Sequence, residues 1–456
     1  MVREETDQLG TLSIPDHSLW GIHTQRALNN FNISGIPVHP LLIKSYAQVK
    51  KACAAVNSEL NFLDPAISEA INQACDEIIR GEHADQFPLD ALQGGAGTSL
   101  NMNLNEVIAN RGLQLLGKSK GDYAVIHPLE DVNLHQSTND TYPTALKIAA
   151  IYLLNQLSEE ISFLQGAFQE KEKEFGDIVK IGRTELQPAV PLTMGIEFSA
   201  FSEAVARDRW RVFKATERIR VINLGGTALG TGLTAPRQYI FLVTERLREI
   251  TNLGLARGEN LAGETANSDP LVEVSGMIKT HGVNLIKIFN DLRNLNLLGE
   301  IILPSYQAGS TIMPGKKNPV MCELAIQTGI KIIANDLIIT EGVSRGNLQI
   351  NEFMPLLAHS LLESLQLLVN INPQLATMVR AIQADRNRCL EYFNRHPGII
   401  TAFVPEIGYV RAEKLLGEFE NSPDNNFRQW LSHKLGEDIV EKTLSPFNLT
   451  KLGYRK

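Results

Sequence analysis

Apolar side chains recur every three or four residues over most of the chain, and this spacing predicts α-helices. The first helical region covers residues 41–80, where the apolar positions begin at Leu42, Ile43 and Tyr46. Strand-like alternation of apolar and polar residues is scarce. Further helices are predicted at residues 144–175, 194–224, 271–298, 319–342 and 352–382. The pattern therefore predicts an all-α fold.

Several of these predicted helices run for roughly 25 residues or more, which is about twice the usual length. Long helices joined by short breaks indicate an elongated helix bundle. Their apolar faces are broad, so we expect helices from several subunits to pack together. The pattern changes near Ala384, where shorter helical stretches are separated by glycine and proline. We predict three domains, over residues 1–138, 139–383 and 384–456.

Polar segments interrupt the helices at residues 94–99, 135–140 and 182–188, and each supplies hydroxyl and amide groups. A further break, at residues 225–232, is rich in glycine but lacks the lysine of a nucleotide-binding phosphate loop. The segment 135–140 has more short polar residues than are needed to cap a helix that begins near Pro143. We therefore expect this segment to face a ligand.

The helix that follows the first break carries four asparagines within ten positions, although asparagine is a poor helix former. Asn101 and Asn105 are one turn apart and lie on the same face. Polar groups that are buried need defined partners. We therefore predict a buried polar network on this helix rather than a face in contact with water.

The segment 309–318 contains two glycines and a proline, which argue against regular helix or strand. It carries two hydroxyl groups, two ammonium groups and a side-chain amide. It leads into a predicted helix, where free N–H groups and the helix dipole attract anions. A polar surface connection between two helices explains this composition equally well. The choice between an anion-binding loop and a surface connection therefore depends on the other polar segments.

Composition excludes several classes of protein. The 456-residue chain has 43 Lys and Arg against 51 Asp and Glu, a net charge of −8, which argues against nucleic acid as a partner. The four cysteines form no C-x-x-C pair and the histidines form no i, i+4 ligand pair, so we expect no metal and no cofactor. The N-terminal residues lack the apolar core of a signal peptide, and no apolar run approaches the ~20 residues of a membrane span. We expect a cytoplasmic protein that binds neither nucleic acid nor membranes.

Two side-chain chemistries fit a cationic, amide-rich loop without a cofactor. Serine nucleophilic catalysis is one, but the sequence contains no G-x-S-x-G elbow. The other is removal of a proton beside a carboxylate, which builds a dianionic, enolate-like group and needs cations and amides around the developing charge. Ser310 as the base, with Lys316 and Asn318 as stabilising groups, meets this need.

The loop 309–318, with the sequence GSTIMPGKKN, resembles the signature loop of the aspartase/fumarase superfamily. Other blocks typical of the superfamily are matched at residues 97–103, 136–140, 182–184 and 225–232. The resemblance extends from about Leu9 to Gly408, nearly the whole chain. Within the superfamily, residues 95–99, 136–140 and 346–351 make the chain more similar to aspartate ammonia-lyases than to class II fumarases.

The resemblance implies a three-domain subunit in a homotetramer, with a twenty-helix central bundle and four sites that are each built from three subunits. It implies reversible deamination of L-aspartate, a small dicarboxylate, to fumarate and ammonia through an aci-carboxylate intermediate. Ser310 would remove the β-proton, Lys316 and Asn318 would hold the β-carboxylate, and the loop would close over the substrate. The remaining substrate-binding positions are Thr98, Ser137, Thr138, Asn139, Thr184, Glu185, Thr311 and Met313.

Two features depart from the superfamily pattern. The residue after Thr184 is histidine in fumarases and commonly histidine or glutamine in aspartases, whereas this chain has Glu185; residues 296–304 also lack the expected Gly-Pro-Arg stretch. A carboxylate is unfavourable beside a dicarboxylate substrate unless a cation offsets it, but it would suit an ammonium group on a larger amine. Three alternatives therefore stay open. They are fumarate hydratase, against which the missing histidine argues, a lyase that joins fumarate to another amine, and a non-catalytic helical scaffold.

Overall fold

The all-α prediction is confirmed by a computed structural model that describes residues 2–454. Helices dominate the described chain, and the strands are short. The helices are α1 (Ile22–Asn30), α2 (Pro40–Glu59), α3 (Pro65–Ile79), α4 (Thr98–Leu115), α5 (Thr138–Glu174), α6 (Met194–Ile219), α7 (Arg237–Thr251), α8 (Leu261–Ala266), α9 (Asp269–Leu297), α10 (Val320–Ser344), α11 (Met354–Arg380), α12 (Arg386–Arg395), α13 (Val404–Ile407), α14 (Tyr409–Glu420), α15 (Phe427–Leu435), α16 (Glu437–Thr443) and α17 (Pro446–Thr450). Short 3₁₀ or π turns lie at Ala84–Gln86, Pro128–Val132 and Pro397–Phe403.

The strands form four separate two-stranded sheets. They are β1 (Val2–Asp7), β2 (Gly10–Pro15), β3 (Val179–Thr184), β4 (Gln187–Thr193), β5 (Val221–Ile222), β6 (Ala256–Arg257), β7 (Ile301–Ile302) and β8 (Gln383–Ala384). The pairs β1–β2, β3–β4 and β7–β8 are antiparallel, and β5–β6 is parallel. These sheets connect helices and do not form a layer of their own.

The predicted helix over residues 194–224 is wrong at its C-terminal end. α6 stops at Ile219, and the next residues leave the helix to pair with β6. The N–H of Ala256 donates to the carbonyl of Arg220 at 2.9 Å, and that of Gly258 donates to the carbonyl of Ile222 at 2.9 Å. Backbone pairing with a distant segment therefore ends a helix that the apolar spacing would have continued.

The expectation that a helix begins near Pro143 is also wrong, because α5 begins at Thr138 and contains this proline. Proline has no N–H, so the carbonyl four residues earlier loses its partner in the helix. That carbonyl belongs to Asn139, and it accepts a hydrogen bond from the side-chain amide of Asn223 at 2.9 Å. A side chain from elsewhere in the chain thus replaces the missing helical bond.

The segment 182–188 was expected as a break between long helices, and the structure instead makes it part of the β3–β4 hairpin. Glu185 and Leu186 form the turn, with φ angles of 53° and 62°. Two consecutive residues with left-handed backbone form a two-residue loop whose twist matches the right-handed twist of the flanking strands. Neither residue is a glycine or asparagine, so these two positions carry no turn signal.

The described chain divides into two compact units, and the three predicted domain ranges stay a prediction. The first unit contains the described residues up to Ser158, with Trp210–Thr280 and Lys331–Val369. In it, the buried carboxylate of Glu106 accepts hydrogen bonds from the backbone N–H groups of Gly21, His23 and Thr24. These groups belong to the first turn of α1, where they have no helical partners. Glu106 therefore fixes α1 onto α4.

The second unit contains Glu159–Arg209, His281–Ile330 and the described residues from Asn370 onward. Phe168 lies at the centre of an aromatic cluster with Phe198, Phe201 and Phe289, at ring-centroid distances of 5.8–6.5 Å. A second apolar core, formed mainly by the C-terminal helices, includes Phe393, Phe403, Phe427 and Trp430. Long helices and short C-terminal helices thus have separate cores within this unit.

α11 is long and apolar enough to cross a membrane by length and composition alone. However, 67% of its most apolar window is buried within the protein. Core helices of globular proteins pass the same hydropathy test. The burial of α11 is that of a core helix.

Glu300 is a fully buried carboxylate that fixes the β3–β4 hairpin within the second unit. Its two oxygens lie 2.7 Å from Lys180 Nζ and 2.7 Å from Arg183 Nη1. Lys180, itself almost completely buried, also lies 2.5 Å from Glu197. Two cations and two anions thus balance one another where water has little access.

Replacing Glu300 by glutamine should lower the free energy of unfolding by about 3–5 kcal/mol, because Arg183 would lose its buried countercharge and Lys180 would keep only Glu197. Urea unfolding followed by circular dichroism measures the change. Glu203→Gln removes an exposed pair with Arg207 and serves as the control, with an expected change of about 0.5 kcal/mol or less. Equal effects of the two substitutions would contradict the role given to Glu300.

Candidate active site

The loop 309–318 directs backbone N–H groups at the hydroxyl oxygen of Ser310. This oxygen accepts hydrogen bonds from the N–H of Ile312 at 3.2 Å and the N–H of Met313 at 2.9 Å. Hydrogen bonds donated to an oxygen stabilise its negatively charged form. The loop geometry therefore favours a serine that can give up its proton, as a general base requires.

The loop is closed on itself at Gly309. The N–H of Gly309 donates to the carbonyl of Lys316 at 2.9 Å, and the amide of Asn318 donates to the carbonyl of Gly309 at 2.8 Å. A Cβ atom on residue 309 would lie 2.5 Å from that Lys316 carbonyl oxygen, so the close approach requires glycine. Asn318, predicted to hold a carboxylate, thus uses its amide N–H₂ to close the loop. Thr311, Met313 and Lys316 are exposed.

In the first unit, the predicted segment 135–140 forms the start of α5, which is held by the buried carboxylate of Asp140. Asp140 accepts hydrogen bonds from the N–H of Ser137 at 3.0 Å, of Gly225 at 3.1 Å and of Thr227 at 2.9 Å. Burial raises the pKa of Asp140 to about 6, and the three N–H donors act in the opposite direction. The glycine-rich segment 225–232 therefore anchors the start of α5 through the N–H groups of Gly225 and Thr227.

Three of the predicted substrate-binding residues lie side by side at this helix start. Ser137 Oγ accepts from the N–H of Asn139 at 3.2 Å, and the side-chain amide of Asn139 donates to the carbonyl of Ala228 at 2.8 Å. Thr138 and Asn139 line a narrow cleft, whose other polar side chains are Lys147, Glu264, Thr265, Asn267, Ser268 and Asn351. The cleft thus combines hydroxyl groups, amides and the ammonium group of Lys147, which is paired with the carboxylate of Glu264 at 3.2 Å.

Thr98 is the first residue of α4 and is exposed. Gly97 precedes it with a φ of +94°, and a Cβ atom there would lie 2.3 Å from the ring of Tyr142 on α5. This close packing requires glycine. It brings the N-terminal ends of α4 and α5 together within the first unit, so Thr98 lies near the residues of the α5 start.

The predicted buried network of asparagines is confirmed. Asn101 and Asn105 are buried, and the amide of each donates to Asn133 Oδ1 at 3.2 Å. The same oxygen accepts from Lys50 Nζ at 3.0 Å, and Lys50 also donates to Gln136 Oε1 at 2.8 Å. A single side-chain oxygen therefore receives three donors from two helices.

Lys50 was not recognised in the sequence as part of this site. Its side chain is completely buried on α2, and burial lowers its pKa to about 7. A signal was available, because Lys50 is four residues after Tyr46 and three before Cys53, on the apolar face of its own helix. Lysine is almost never fully buried without partners, so a lysine on an apolar helix face indicates a buried polar contact.

The remaining predicted residues, Thr184 and Glu185, lie at the exposed tip of the β3–β4 hairpin in the second unit. Left-handed backbone at residues other than glycine is uncommon and occurs often at functional sites. The hairpin therefore presents the carboxylate of Glu185 on strained backbone, next to the hydroxyl group of Thr184 at the end of β3. The predicted residues accordingly fall into three groups, at the helix starts of the first unit and at the hairpin tip and the loop of the second.

One cluster in the described chain has the composition of a metal site. Glu77, Glu82 and His83 offer ligand atoms within 4.8 Å of one another. However, both oxygens of Glu77 accept from the guanidinium of Arg111, at 2.6 and 2.8 Å, and His83 Nε2 lies 2.8 Å from the same carboxylate. The Arg111 hydrogen bonds lower the pKa of Glu77 to about 2. The cluster is an ion-pair network whose central carboxylate is already occupied.

Sequence comparison places the chain among known enzymes. A family model described as Lyase matches residues 10–334. The chain is 42% identical over 459 residues to an aspartate ammonia-lyase from a Bacillus species, covering 99% of this chain and 98% of the relative. It is 42% identical to the aspartate ammonia-lyase of Helicobacter pylori strain J99, over 98% of each chain, and 40% identical to that of Bacillus subtilis strain 168, over 99% of this chain and 96% of the relative.

Solved structures agree with the sequence comparison. The fumarate lyase:delta crystallin from Brucella melitensis, bound to cobalt, matches with a TM-score of 0.95 and 40% identity, over 99% of this chain and 100% of that chain. A class II fumarase from Schistosoma mansoni matches with a TM-score of 0.92 and 30% identity, over 98% of each chain. The chain therefore belongs to the lyase family and has the aspartase/fumarase fold that its loop 309–318 predicted.

Proposed function

We propose that this protein is an aspartate ammonia-lyase, a carbon–nitrogen lyase that converts L-aspartate to fumarate and ammonia. The observation that carries the proposal is the pair of backbone N–H groups directed at Ser310 Oγ, 3.2 and 2.9 Å away. Relatives that are 40–42% identical over nearly the whole chain are named aspartate ammonia-lyase. The activity named for these relatives argues against a helical scaffold without activity.

In the proposed reaction, the deprotonated hydroxyl of Ser310 takes a proton from the β-carbon of L-aspartate and becomes a neutral hydroxyl group. The electron pair of that C–H bond moves into the neighbouring carboxylate, which becomes a dianionic aci-carboxylate. Collapse of this intermediate forms the carbon–carbon double bond of fumarate and releases ammonia from the α-carbon. Stabilising charge as it develops is usually the largest catalytic contribution. Lys316 supplies a cation for the β-carboxylate, and Asn318, Thr311 and Met313 complete this part of the site.

The residues of the first unit bind the substrate's carboxylates and amino group in this proposal. Ser137, Thr138 and Asn139 lie at the N-terminal end of a 37-residue helix, where N–H groups and the helix dipole attract anions. Thr98 lies at the N-terminal end of α4 and acts in the same way. Thr184, at the hairpin tip, supplies a further hydroxyl group.

We further propose a homotetramer whose sites each combine residues from three subunits. α10 supports this assembly, because it leaves a row of large apolar side chains exposed in the single chain. They are Leu324, Ile330, Ile333, Leu337 and Ile338. Extended apolar surfaces of this kind mark protein–protein interfaces. The loop 309–318 closes over the bound substrate and excludes water in this proposal.

The decisive assay follows fumarate by its ultraviolet absorbance with purified protein. L-aspartate and L-malate are offered separately, and fumarate is offered with ammonium. Fumarate formation from L-aspartate but not from L-malate is the expected result. Formation from L-malate alone would identify a hydratase and overturn the proposal.

Replacing Ser310 by alanine should lower kcat for L-aspartate by about 10²- to 10⁴-fold, the usual contribution of a general base. The oligomeric state, measured by light scattering, should not change, because the side chain bonds only within its own loop. Ser344→Ala, at the exposed end of α10, is the control and should retain normal turnover. A rate near that of wild type in the Ser310 variant would reject Ser310 as the base.

Glu185 favours a second candidate function, the joining of fumarate to a larger amine. Its exposed carboxylate offers no favourable contact to a dicarboxylate substrate. The same carboxylate would attract an ammonium group on a larger amine. Incubating fumarate with a panel of amines, and detecting adducts by mass spectrometry, tests this function. An adduct formed faster than aspartate would make it the principal activity.

If L-aspartate is the substrate, Glu185→Gln should raise kcat/KM by about two- to tenfold, because a like charge worth roughly 1 kcal/mol in water is removed. Steady-state kinetics at low ionic strength measure the gain, which added salt should reduce. Glu203→Gln, on the exposed face of α6, is the matched control. Unchanged kinetics in both variants would place Glu185 outside the site.

A further inference from the structure

We propose that Lys50 is a positioning residue, and that it sets the direction of a chain of hydrogen bonds that ends at the hydroxyl group of Thr138. The inference rests on the proposed function, in which Thr138 donates to the substrate. The chain begins at Lys50 Nζ, buried on α2, and passes through Asn133 and Asn101. All of its members belong to the first unit.

The first step follows from the chemistry of the ammonium group. An ammonium ion has three donors and no acceptor, so its partners must present oxygen atoms. Lys50 contacts Asn133 at 3.0 Å and Gln136 at 2.8 Å. Side-chain amides can be reversed with little change of shape, and their orientation is fixed by their surroundings. The cation therefore forces Asn133 to turn its oxygen toward α2.

The second step concerns the two asparagines on α4. Because Asn133 presents its oxygen, Asn101 and Asn105 must direct their N–H₂ groups toward it, each at 3.2 Å. Their own side-chain oxygens are buried, and within residues 2–454 these atoms have no hydrogen-bond donor. An unpaired buried oxygen is unfavourable. Asn101 and Asn105 nevertheless keep this orientation, since the reverse would place the side-chain oxygen of each against Asn133 Oδ1.

The third step reaches the proposed substrate site. The N–H₂ group of Asn101 also donates to Thr138 Oγ1 at 3.0 Å. A hydroxyl oxygen that accepts from Asn101 must direct its own hydrogen elsewhere, so Thr138 is set as a donor. Thr138 lines the cleft at the start of α5. A carboxylate accepts hydrogen bonds and cannot donate them, so this setting suits an anionic substrate.

Without the cation, the orientation of Asn133 within residues 2–454 rests on a long hydrogen bond, from its side-chain amide to the carbonyl of Gln136 at 3.3 Å. Asn133 could then reverse, Asn101 could present its oxygen, and Thr138 could donate into the network instead of to the substrate. Gln136 would lose its contact with Lys50 as well, although its amide would still bind the carbonyls of Val132 and Leu134. The expected defect is therefore in substrate binding, and the turn over residues 132–136 should keep its fold.

The test uses Lys50→Met, which keeps the length of the side chain and removes its donors. At pH 6.5 the KM for L-aspartate should rise about 10- to 100-fold, the usual effect of losing a hydrogen bond to a charged group, while kcat stays within about threefold. Lys51→Met is the matched control, since the neighbouring lysine is paired with Asp76 at 2.6 Å. A purely structural role would lower kcat through loss of active enzyme and leave KM unchanged, and that result would overturn the inference.

Two substitutions of Asn133 keep the inference testable if Lys50→Met fails to fold. Asn133→Asp keeps an acceptor toward Lys50, Asn101 and Asn105 and gives up only the long hydrogen bond to the Gln136 carbonyl at 3.3 Å, so the direction is preserved and KM should stay within about threefold of wild type. Asn133→Leu removes the shared acceptor and should raise KM as Lys50→Met does. Equal KM values for the aspartate and leucine variants would overturn the inference.

Failure of the proposed function has a different signature. Wild-type protein that forms no fumarate from L-aspartate would reject the proposed function directly. The positioning role would then be tested with the same variants by calorimetric titration of fumarate. A Kd that rises for Lys50→Met and Asn133→Leu but not for Asn133→Asp supports the role, and a Kd that is the same in all of them rejects it.

Discussion

The buried carboxylate of Asp140 is the interaction on which the start of α5 depends. It accepts three backbone N–H groups, two of them from the glycine-rich segment after β5, and so connects two distant parts of the chain. Negative charge is favoured at this end of a helix. Because α5 continues for 37 residues, a small polar contact fixes a long rigid element together with the hydroxyl and amide groups at its first turn.

The same solution recurs at each segment that carries the proposed chemistry. Buried charges around Glu300 hold the hairpin, backbone N–H groups hold Ser310, and amide side chains hold Thr138. Groups that bind or react need supporting groups that are themselves fixed. The strained turn at Glu185 and Leu186 persists on such a support, at a cost of about 1–3 kcal/mol for each residue in an unfavourable conformation.

The long helices and the reactive loop were predictable because each depends on neighbours in sequence. Apolar spacing gives α5, α6 and α9 to α11, and the glycines and proline of 309–318 exclude regular structure there. The early start of α5 was not predictable, since Asn223 supplies the bond that Pro143 lacks. Nor was the β3–β4 hairpin, whose turn contains neither glycine nor asparagine. The place of Lys50 on the apolar face of α2 was visible in the sequence, but its partners were not, because they lie more than 80 residues away.

The closure of the loop 309–318 on itself has a consequence for the entropy of binding. Its shape is fixed by the pairing of Gly309 with Lys316 and by the amide of Asn318, all within the loop. Ordering a flexible segment costs about 1–2 kcal/mol for each residue. A loop that is already ordered avoids most of this loss. In the proposed reaction, the free energy of substrate binding is then available for orienting Ser310 instead of for folding the loop.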